Sequence, residues 1–153
     1  MIFKDITDTN FNGIDISSHH EFNHEKVYYY EDQATQLTSL IAVHSTVKGP
    51  AIGGCRYRQY DSFADGLTDV LRLSRGMTDK NNVAGIPFGG GKAVIFKQQV
   101  KSKNLLKSFA SFLNCLNGKY ISAEDIGITL EDIIFISEHS EHVFDNVDPG
   151  PFT

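Results

Sequence analysis

Strand-like and helix-like segments alternate along the chain from residue 51 onward, and this order constrains the fold more than any other feature. Ala51 to Arg58, Ala93 to Phe96 and Tyr120 to Ala123 are short runs that have the composition of strands. Alternation of strands and helices favours right-handed crossovers, which build a mainly parallel sheet covered by helices on both faces. We therefore predict the α/β class, with a three-layer α/β/α architecture.

The segments between and after these strands carry apolar residues at helical spacing. The predicted helices begin near Ser62, Leu105 and Thr129, and the first and third have an aspartate at the spacing of a capping box. We expect the first helix to run toward Thr78. The second is expected to end before Gly118, a residue type that suits the C′ position.

Two β-rich runs near the start, Val27 to Glu31 and Leu37 to Ser45, are separated by polar residues and predict paired strands. This N-terminal hairpin is expected to add an antiparallel strand to the sheet. In sheets of this class, ligands bind at the carboxyl ends of the strands. Residues that follow strands are therefore the first candidates for a site.

The chain carries a formal net charge of −5 and has a sequence pI near 5.6. A chain with a net negative charge does not attract phosphate backbones or anionic lipid, so nucleic acid and membranes are not expected partners. Cys55 and Cys115 lie outside any CxxC spacing and are expected to be reduced, buried side chains. The N-terminus lacks a signal core and no run of about 18 apolar residues occurs, so we expect a cytoplasmic protein.

Two lysines stand out in the middle of the chain: Lys80 at a predicted helix end and Lys92 after consecutive glycines. Gly89 to Gly91 let the backbone approach a ligand closely, and because glycine adopts a positive φ without steric cost, they can carry Lys92 into a crevice. The alternative is a solvated lysine on a flexible turn, the commoner situation for this residue type. Apolar neighbours on both sides of Lys92 favour burial, and burial favours a neutral amine that acts as a base.

Neither of the common phosphate-binding motifs fits this chain. The pattern GxxxxGK[ST] fails because position 86 is Ile86 and because Lys92 is followed by Ala93. No GxGxxG follows a predicted strand, so the chain has no dinucleotide fingerprint of its own. A redox cofactor would have to bind elsewhere.

Asp125 lies just beyond the strand that ends at Ala123, next to a second carboxylate, Glu124. Adjacent side chains point in different directions, so we expect at most one of the two to face a shared crevice. The alternative role for Asp125 is to cap the turn that follows.

His20, Glu21 and His24 spell the pattern HExxH, in which two histidines one helical turn apart bind zinc. The motif needs a stable helix. A β-rich run begins three residues after His24, and the preceding residues lack an amphipathic stripe, so we expect no metal. Zinc hydrolysis remains the third functional alternative.

Three blocks closely resemble one protein family: GPAIGGCR, RLSRGMTDKNNVAGIPFGGGKAVI and GKYISAEDIG are similar to the leucine/phenylalanine/valine/glutamate dehydrogenases in order and spacing. The resemblance runs from about Val27 to the C-terminal end. It implies that residues 1–153 form the substrate-binding and oligomerisation domain of a homo-oligomer. It also implies that a nicotinamide-binding Rossmann domain follows residue 153 and is absent from this chain.

Carried onto this chain, the resemblance implies three functional side chains. Lys80 would hold the α-carboxylate of the substrate. Lys92 would be the catalytic lysine, and Asp125 would exchange protons with the substrate amine and the attacking water. All three positions have the residue type that the family pattern requires.

The same resemblance implies a substrate pocket. Backbone around Gly53, Gly54 and Met77 would help Lys80 to bind the carboxylate, and Ile52 and Ala123 would line an apolar side-chain pocket. This pocket predicts a branched-chain aliphatic substrate, with phenylalanine next. Relatives often carry Tyr and Ala where this chain has an aspartate and an asparagine, at positions 79 and 82.

The function that the resemblance implies is NAD-dependent oxidative deamination of an L-amino acid to the 2-oxo acid and ammonia. NAD would bind mainly to the absent domain, so the isolated chain is expected to be inactive. The alternative is a noncatalytic assembly or amino-acid-sensing module of the same fold. Retention of Lys80, Lys92 and Asp125 argues against this alternative.

Overall fold

The computed structural model describes residues 1–19 and 23–144. In chain order the elements are β1 (Ile2–Asp5), β2 (Asn10–Phe11), β3 (Ile14–Asp15), a short 3-10 helix (Ile16–His19), β4 (Lys26–Asp32), β5 (Leu37–Ser45), β6 (Ala51–Arg58), α1 (Phe63–Ala84), β7 (Gly89–Phe96), α2 (Lys103–Cys115), β8 (Tyr120–Ala123) and α3 (Leu130–Ser137).

The central sheet has the strand order β1-β4-β5-β7-β6-β8. β6 pairs in parallel with β7 and with β8, whereas β5 pairs antiparallel with β7 and β4, and β1 antiparallel with β4. β4, β6, β7 and β8 therefore run in one direction, and β1 and β5 in the other. The predicted α/β class and the antiparallel hairpin are confirmed, and the sheet as a whole is mixed.

Helices cover both faces of the sheet, as predicted. Alternate strand residues face opposite sides, so Ala42 and Val94 pack in one apolar cluster with α1, while Ile41 and Ala93 pack in the other. The second cluster receives side chains from α2 and α3, among them the fully buried Phe109. The architecture is three-layered, with α1 on one face, where Ile16 of the 3-10 helix joins its apolar cluster.

The first helix is longer than the sequence pattern predicted. It continues past Thr78 to Ala84 and ends at Gly85, which has the left-handed conformation with φ 70°. The spacing of apolar residues did not predict the turns after Thr78, because these turns contact the sheet through a polar residue and have no apolar stripe. Asn81 is buried, and its side-chain amide donates a hydrogen bond of 2.8 Å to the carbonyl of Gly89.

The strand predicted at Ala93 to Phe96 begins earlier, at Gly89, and Lys92 is buried within it, so the alternative of a solvated lysine on a flexible turn is wrong. Gly89–Gly91 are the first residues of β7, and none of them has a positive φ. Their role is close packing: a Cβ atom at Gly90 would lie 2.1 Å from Thr78 Oγ1. At Gly91 it would lie 2.7 Å from Tyr120 Cδ1. The glycines therefore bring α1 and β8 against the strand that carries Lys92.

Two smaller predictions also need correction. α2 ends at Cys115, and the left-handed residue nearest its end is Asn117, with φ 53°, which precedes the predicted Gly118. Cys55 is buried as expected, but Cys115 is exposed because it lies on the outer side of the last turn of α2. Within the described residues, no helix is long and apolar enough to cross a membrane.

Candidate active site

An ion pair between Lys92 and Asp125 lies at the centre of the candidate site. Lys92 Nζ is 2.8 Å from Asp125 Oδ2, and the two side chains are 9% and 20% exposed. β8 is short, and its last residue, Ala123, pairs with Gly54 in the middle of β6. Asp125 therefore lies beside the middle of β7 instead of its carboxyl end.

The turn that carries Asp125 is held by backbone contacts. The Asp125 N–H donates to the carbonyl of Ile128 at 3.2 Å, and the Ile128 N–H donates back at 3.0 Å. Gly127 has φ 80°, and a Cβ atom there would lie 2.2 Å from the carbonyl oxygen of Tyr57. Glu124 is exposed, so only one of the two adjacent carboxylates faces the site, as predicted.

Two glycines of β6 form the floor of the site. A Cβ atom at Gly54 would lie 2.8 Å from the Cβ of Asp125, and at Gly53 it would lie 3.3 Å from Met77 Cγ. A side chain at Gly54 would displace the turn, and a side chain at Gly53 would collide first with the carbonyl oxygen of Gly91 on β7, at 1.7 Å. The two glycines therefore let Asp125 and Met77 pack against the same strand.

Lys80 lies one helical turn beyond Met77 on the same face of α1, and its side chain is exposed. Ile52 is partly buried and pairs with Gly90 on one side and Ile121 on the other. Of the predicted residues, Lys92, Asp125 and the two glycines of β6 are packed together. Lys80 lies at the edge of this group. A ligand that contacted both Lys80 and the Lys92–Asp125 pair would have to span the space between them.

Arg56 also belongs to the site, and sequence reasoning missed it. It lies on β6 with its side chain 14% exposed, and its Nε is 3.2 Å from Asp125 Oδ2. Its Nη1 is 3.5 Å from Oδ2 of Asp69, a residue of α1 whose side chain is 6% exposed. One guanidinium thus joins two carboxylates on different elements.

Asp69 is held by further donors. Tyr60 Oη donates to Oδ2 at 2.6 Å, and Arg72 Nη2 donates to Oδ1 at 2.9 Å. Burial alone would raise the pKa of Asp69, but the hydrogen bonds from Tyr60 and Arg72 and the charge of Arg56 outweigh it, so the pKa is lowered. Asp69 is therefore a buried carboxylate that remains charged at neutral pH.

Asp125 is also a carboxylate at neutral pH. Burial raises its pKa, but hydrogen bonds from Lys92 and from the backbone N–H of Ile126, with the charge of Arg56, lower it below the ordinary value. The nearby Cys55 thiol and Tyr120 phenol stay neutral because burial raises both pKa values. The site thus presents a proton acceptor beside a lysine.

The signal that would have identified Arg56 and Asp69 is weak. Arg56 lies in a strand of largely apolar residues, but Asp69 is one of several charged residues of α1, and charged residues are seldom buried unless they are paired. Their partnership depends on how α1 crosses back over the sheet. The distance between α1 and β6 at this crossing cannot be predicted from the spacing of residues in the sequence.

Of the HExxH residues, His20 and Glu21 lie outside the described residues. His24 is buried, and its Nε2 lies 2.8 Å from both the carbonyl of Leu71 and Ser74 Oγ. Its ring therefore contacts α1. Among residues 1–19 and 23–144, no group of three or more His, Cys, Asp or Glu side chains could hold a metal ion.

The described helices do not fit a dinucleotide cofactor. A pyrophosphate binds at a helix N-terminus that follows a glycine-rich turn. The first turn of α1 carries Asp65, and that of α3 carries Glu131 and Asp132, so both would repel phosphate. α2 begins after Ser102 in a segment without glycine.

Comparison with known protein families gives a match over residues 20–142 to the family described as Glu/Leu/Phe/Val dehydrogenase, dimerisation domain. The chain belongs to this family. The resemblance in the three sequence blocks is thereby confirmed.

Individual members of the Glu/Leu/Phe/Val dehydrogenase family are similar over most of the chain. It is 43% identical over 124 residues to leucine dehydrogenase of Geobacillus stearothermophilus, covering 80% of this chain and 34% of the relative. It is 46% identical over 123 residues to phenylalanine dehydrogenase of Caldalkalibacillus thermarum, covering 79% and 33%.

Among solved structures, L-tryptophan dehydrogenase of Nostoc punctiforme superposes with a TM-score of 0.81 at 38% identity. The match covers 85% of this chain and 39% of that one. The chain thus spans between 33% and 39% of the length of these relatives.

Proposed function

We propose that this chain is the substrate-binding and oligomerising part of an NAD-dependent L-amino-acid dehydrogenase, which forms a 2-oxo acid and ammonia. The observation that carries the proposal is the pair of buried Lys92 and partly buried Asp125 beside Gly54, in a chain of this family. A Rossmann domain that follows residue 153 would bind the cofactor. The family description, a dimerisation domain, supports a homo-oligomer.

Substrate binding is assigned to the exposed end of the site. The ammonium group of Lys80 would bind the α-carboxylate, because a charge-assisted hydrogen bond to a carboxylate is about twice as strong as a neutral one. Backbone near Gly53, Gly54 and Met77 would complete this contact. The substrate amine would then extend toward Asp125, whose lowered pKa keeps it ready to accept a proton.

The chemistry divides between the paired residues. Oxidative deamination requires a neutral substrate amine, and Asp125 would take the proton from the ammonium form. Loss of the α-hydrogen as hydride from the neutral amine to the nicotinamide would give an imine. Water must then attack this imine, and Lys92 would act as the base that takes a proton from the water. The hydride acceptor belongs to the cofactor, for which the described helices provide no site.

A branched-chain aliphatic substrate, with phenylalanine next, is the proposed specificity. Ile52 and Ala123 supply apolar surface on β6 and β8 close to Gly54. Relatives that act on leucine and phenylalanine, by their names, share 43% and 46% identity with this chain. A strong preference of the full-length protein for glutamate over leucine would overturn this assignment.

The test measures NADH formation by the full-length protein with leucine, valine, phenylalanine and glutamate, using NAD and NADP. Lys92→Ala should abolish activity with the preferred amino acid. Lys97→Ala is a matched control, because Lys97 is an exposed lysine that directly follows the same strand. If no amino acid supports NADH formation, or if Lys92→Ala retains wild-type turnover, the proposed reaction is wrong.

The second candidate is an amino-acid-sensing or assembly module. A downstream coding region without the glycine fingerprint of a dinucleotide-binding βαβ unit would favour it. On this view the full-length protein would bind leucine through Lys80 without forming NADH. Calorimetric titration with leucine, beside the activity assay, separates the two candidates.

A further inference from the structure

Arg56 lies between two carboxylates that come from opposite sides of it. Its Nε contacts Oδ2 of Asp125 at 3.2 Å and its Nη1 contacts Oδ2 of Asp69 at 3.5 Å. Asp125 belongs to a turn after β8, whereas Asp69 belongs to the second turn of α1. The guanidinium therefore connects the turn that carries the proposed proton acceptor to the long helix.

The orientation of a guanidinium is set by its rigid planar fork of donors. When Nη1 is directed at Asp69, the position of Nε is restricted as well, and Nε is the atom that contacts Asp125. Asp69 can act as a fixed anchor because it is buried and is itself held by Tyr60 at 2.6 Å and Arg72 at 2.9 Å. Arg58 Nη1 lies farther away, at 4.0 Å.

The same oxygen of Asp125 receives both cations, since Lys92 Nζ also contacts Oδ2, at 2.8 Å. Two donors on one oxygen fix the rotation of the carboxylate. If Arg56 moved away, Oδ2 of Asp125 would keep Lys92 as its only charged side-chain contact among the described residues, beside the backbone hydrogen bond from Ile126, and a flexible ammonium imposes little directionality. The geometry of the Lys92–Asp125 pair therefore depends on Arg56.

We propose that Asp69 is a positioning residue that acts through Arg56 to hold the Asp125 carboxylate in the orientation required for proton exchange. This inference rests on the proposed function of Asp125. The coupling itself, an effect of Asp69 on the pKa of Asp125, can be measured without an activity assay. Tyr60 contributes to the same positioning because its hydroxyl donates a hydrogen bond to Asp69.

Two possible roles of Asp69 predict opposite changes in the pKa of Asp125 when Asp69 is replaced. If Asp69 acted only as a nearby negative charge, its removal would lower the pKa of Asp125, because one like charge would be gone. If Asp69 positions Arg56, its removal releases the guanidinium and raises the pKa of Asp125. The other groups facing Asp125 are Lys92, the neutral Cys55 thiol and the neutral Tyr120 phenol, and Asp69→Asn changes none of them.

The first experiment is an NMR titration of the Asp125 carboxyl carbon in this 153-residue chain. We expect Asp69→Asn to raise the pKa of Asp125 and Arg56→Met to raise it at least as much. In an Arg56→Met background, Asp69→Asn should then have almost no further effect, because coupled residues are not additive. A lowered pKa in Asp69→Asn, or an equal effect in both backgrounds, would overturn the proposal.

Tyr60→Phe is a second variant in case Asp69→Asn does not fold. It removes one hydrogen bond from Asp69 and keeps the aromatic ring. It should therefore also raise the pKa of Asp125, but by less than Asp69→Asn does. Tyr57→Phe is the matched control, because the Tyr57 hydroxyl contacts Gln98 instead of Asp69. A shift in the control equal to that in Tyr60→Phe would also overturn the proposal.

Kinetics of the full-length protein test the functional side. Asp69→Asn should lower kcat with leucine by on the order of tenfold or more, as misplaced catalytic groups do. The KM for leucine should change by less than about threefold, because Asp69 does not bind the carboxylate. An inactive wild-type protein would refute the proposed function and leave the NMR result standing. An active wild type with unchanged kcat in Asp69→Asn would refute the positioning role.

Discussion

The two faces of strands β6 and β7 differ sharply, although both are largely buried. On the side of α2 and α3, Cys55 and Ala93 belong to an apolar cluster that contains Phe109. On the side of α1, the neighbouring residues Arg56 and Lys92 carry charges and contact carboxylates. Both faces bury apolar side chains, Val94 on the α1 side among them, and we propose that the charged part of the α1 face performs the chemistry.

This division has a physical basis. Charged groups inside a protein cost free energy unless they are paired and hydrogen-bonded, so a fold tolerates them on one face when the other supplies the apolar burial. Gly54 also lets the turn that carries Asp125 pack closely against β6, next to these charged side chains. Substitutions on the two faces should therefore affect different measurements.

The largest expected effect is on turnover. Asp125→Asn keeps the size of the side chain but removes the proton acceptor, so kcat of the full-length protein should fall by about 10²–10⁴-fold. Unfolding by urea should show that the variant still folds. Wild-type turnover in this variant would remove Asp125 from the proposed chemistry.

The next largest effect is on stability. Phe109 is fully buried on the α2 side, so Phe109→Ala should reduce the free energy of unfolding by about 3–5 kcal/mol. Urea denaturation of this chain measures the change. A loss below about 1 kcal/mol would mean that this face is not the principal core.

A smaller effect is expected at the glycines that bring α1 onto β7. Gly90→Ala places a methyl group against Thr78 and should cost about 1–3 kcal/mol of stability. Gly76→Ala is the matched control on α1, where a Cβ atom meets nothing within 4 Å. This control should stabilise the chain by about 0.5–1 kcal/mol, since alanine favours the helix interior. Equal effects of the two variants would contradict the packing role of Gly90.

The smallest expected effect is the pH dependence of stability. The pKa values of Asp69 and Asp125 are lowered in the folded chain, so their contribution is present above the pKa of the unfolded state. It is lost as the pH falls through the lower folded-state pKa values. Urea unfolding at a series of pH values below neutrality should show this decline, and Asp69→Asn should make it shallower. An unchanged slope would show that Asp69 is not held as a charged group.

Much of this arrangement could be predicted from the sequence because local patterns determine it. The bounds of β5, β6 and β8 coincide with runs of strand-forming residues, and the caps at Ser62 and Thr129 accept the expected backbone hydrogen bonds. Family resemblance supplied Lys92 and Asp125, which the structure brings into contact.

The remainder depends on long-range packing. The strand conformation of Gly89–Gly91 follows from how closely α1 and β8 approach β7, and the last turns of α1 follow from the Asn81 contact with Gly89. The link from Arg56 to Asp69 depends on the crossing of α1 over the sheet. No local pattern reports any of these distances.

The most direct test compares the two faces in one experiment on the full-length protein. Lys92→Ala and Phe109→Leu are each assayed for NADH formation with leucine and for the free energy of unfolding. We expect Lys92→Ala to lose turnover while it stays folded, and Phe109→Leu to lose stability while its kcat stays near that of the wild type. Retained turnover in Lys92→Ala would contradict the assignment of the α1 face as the active site.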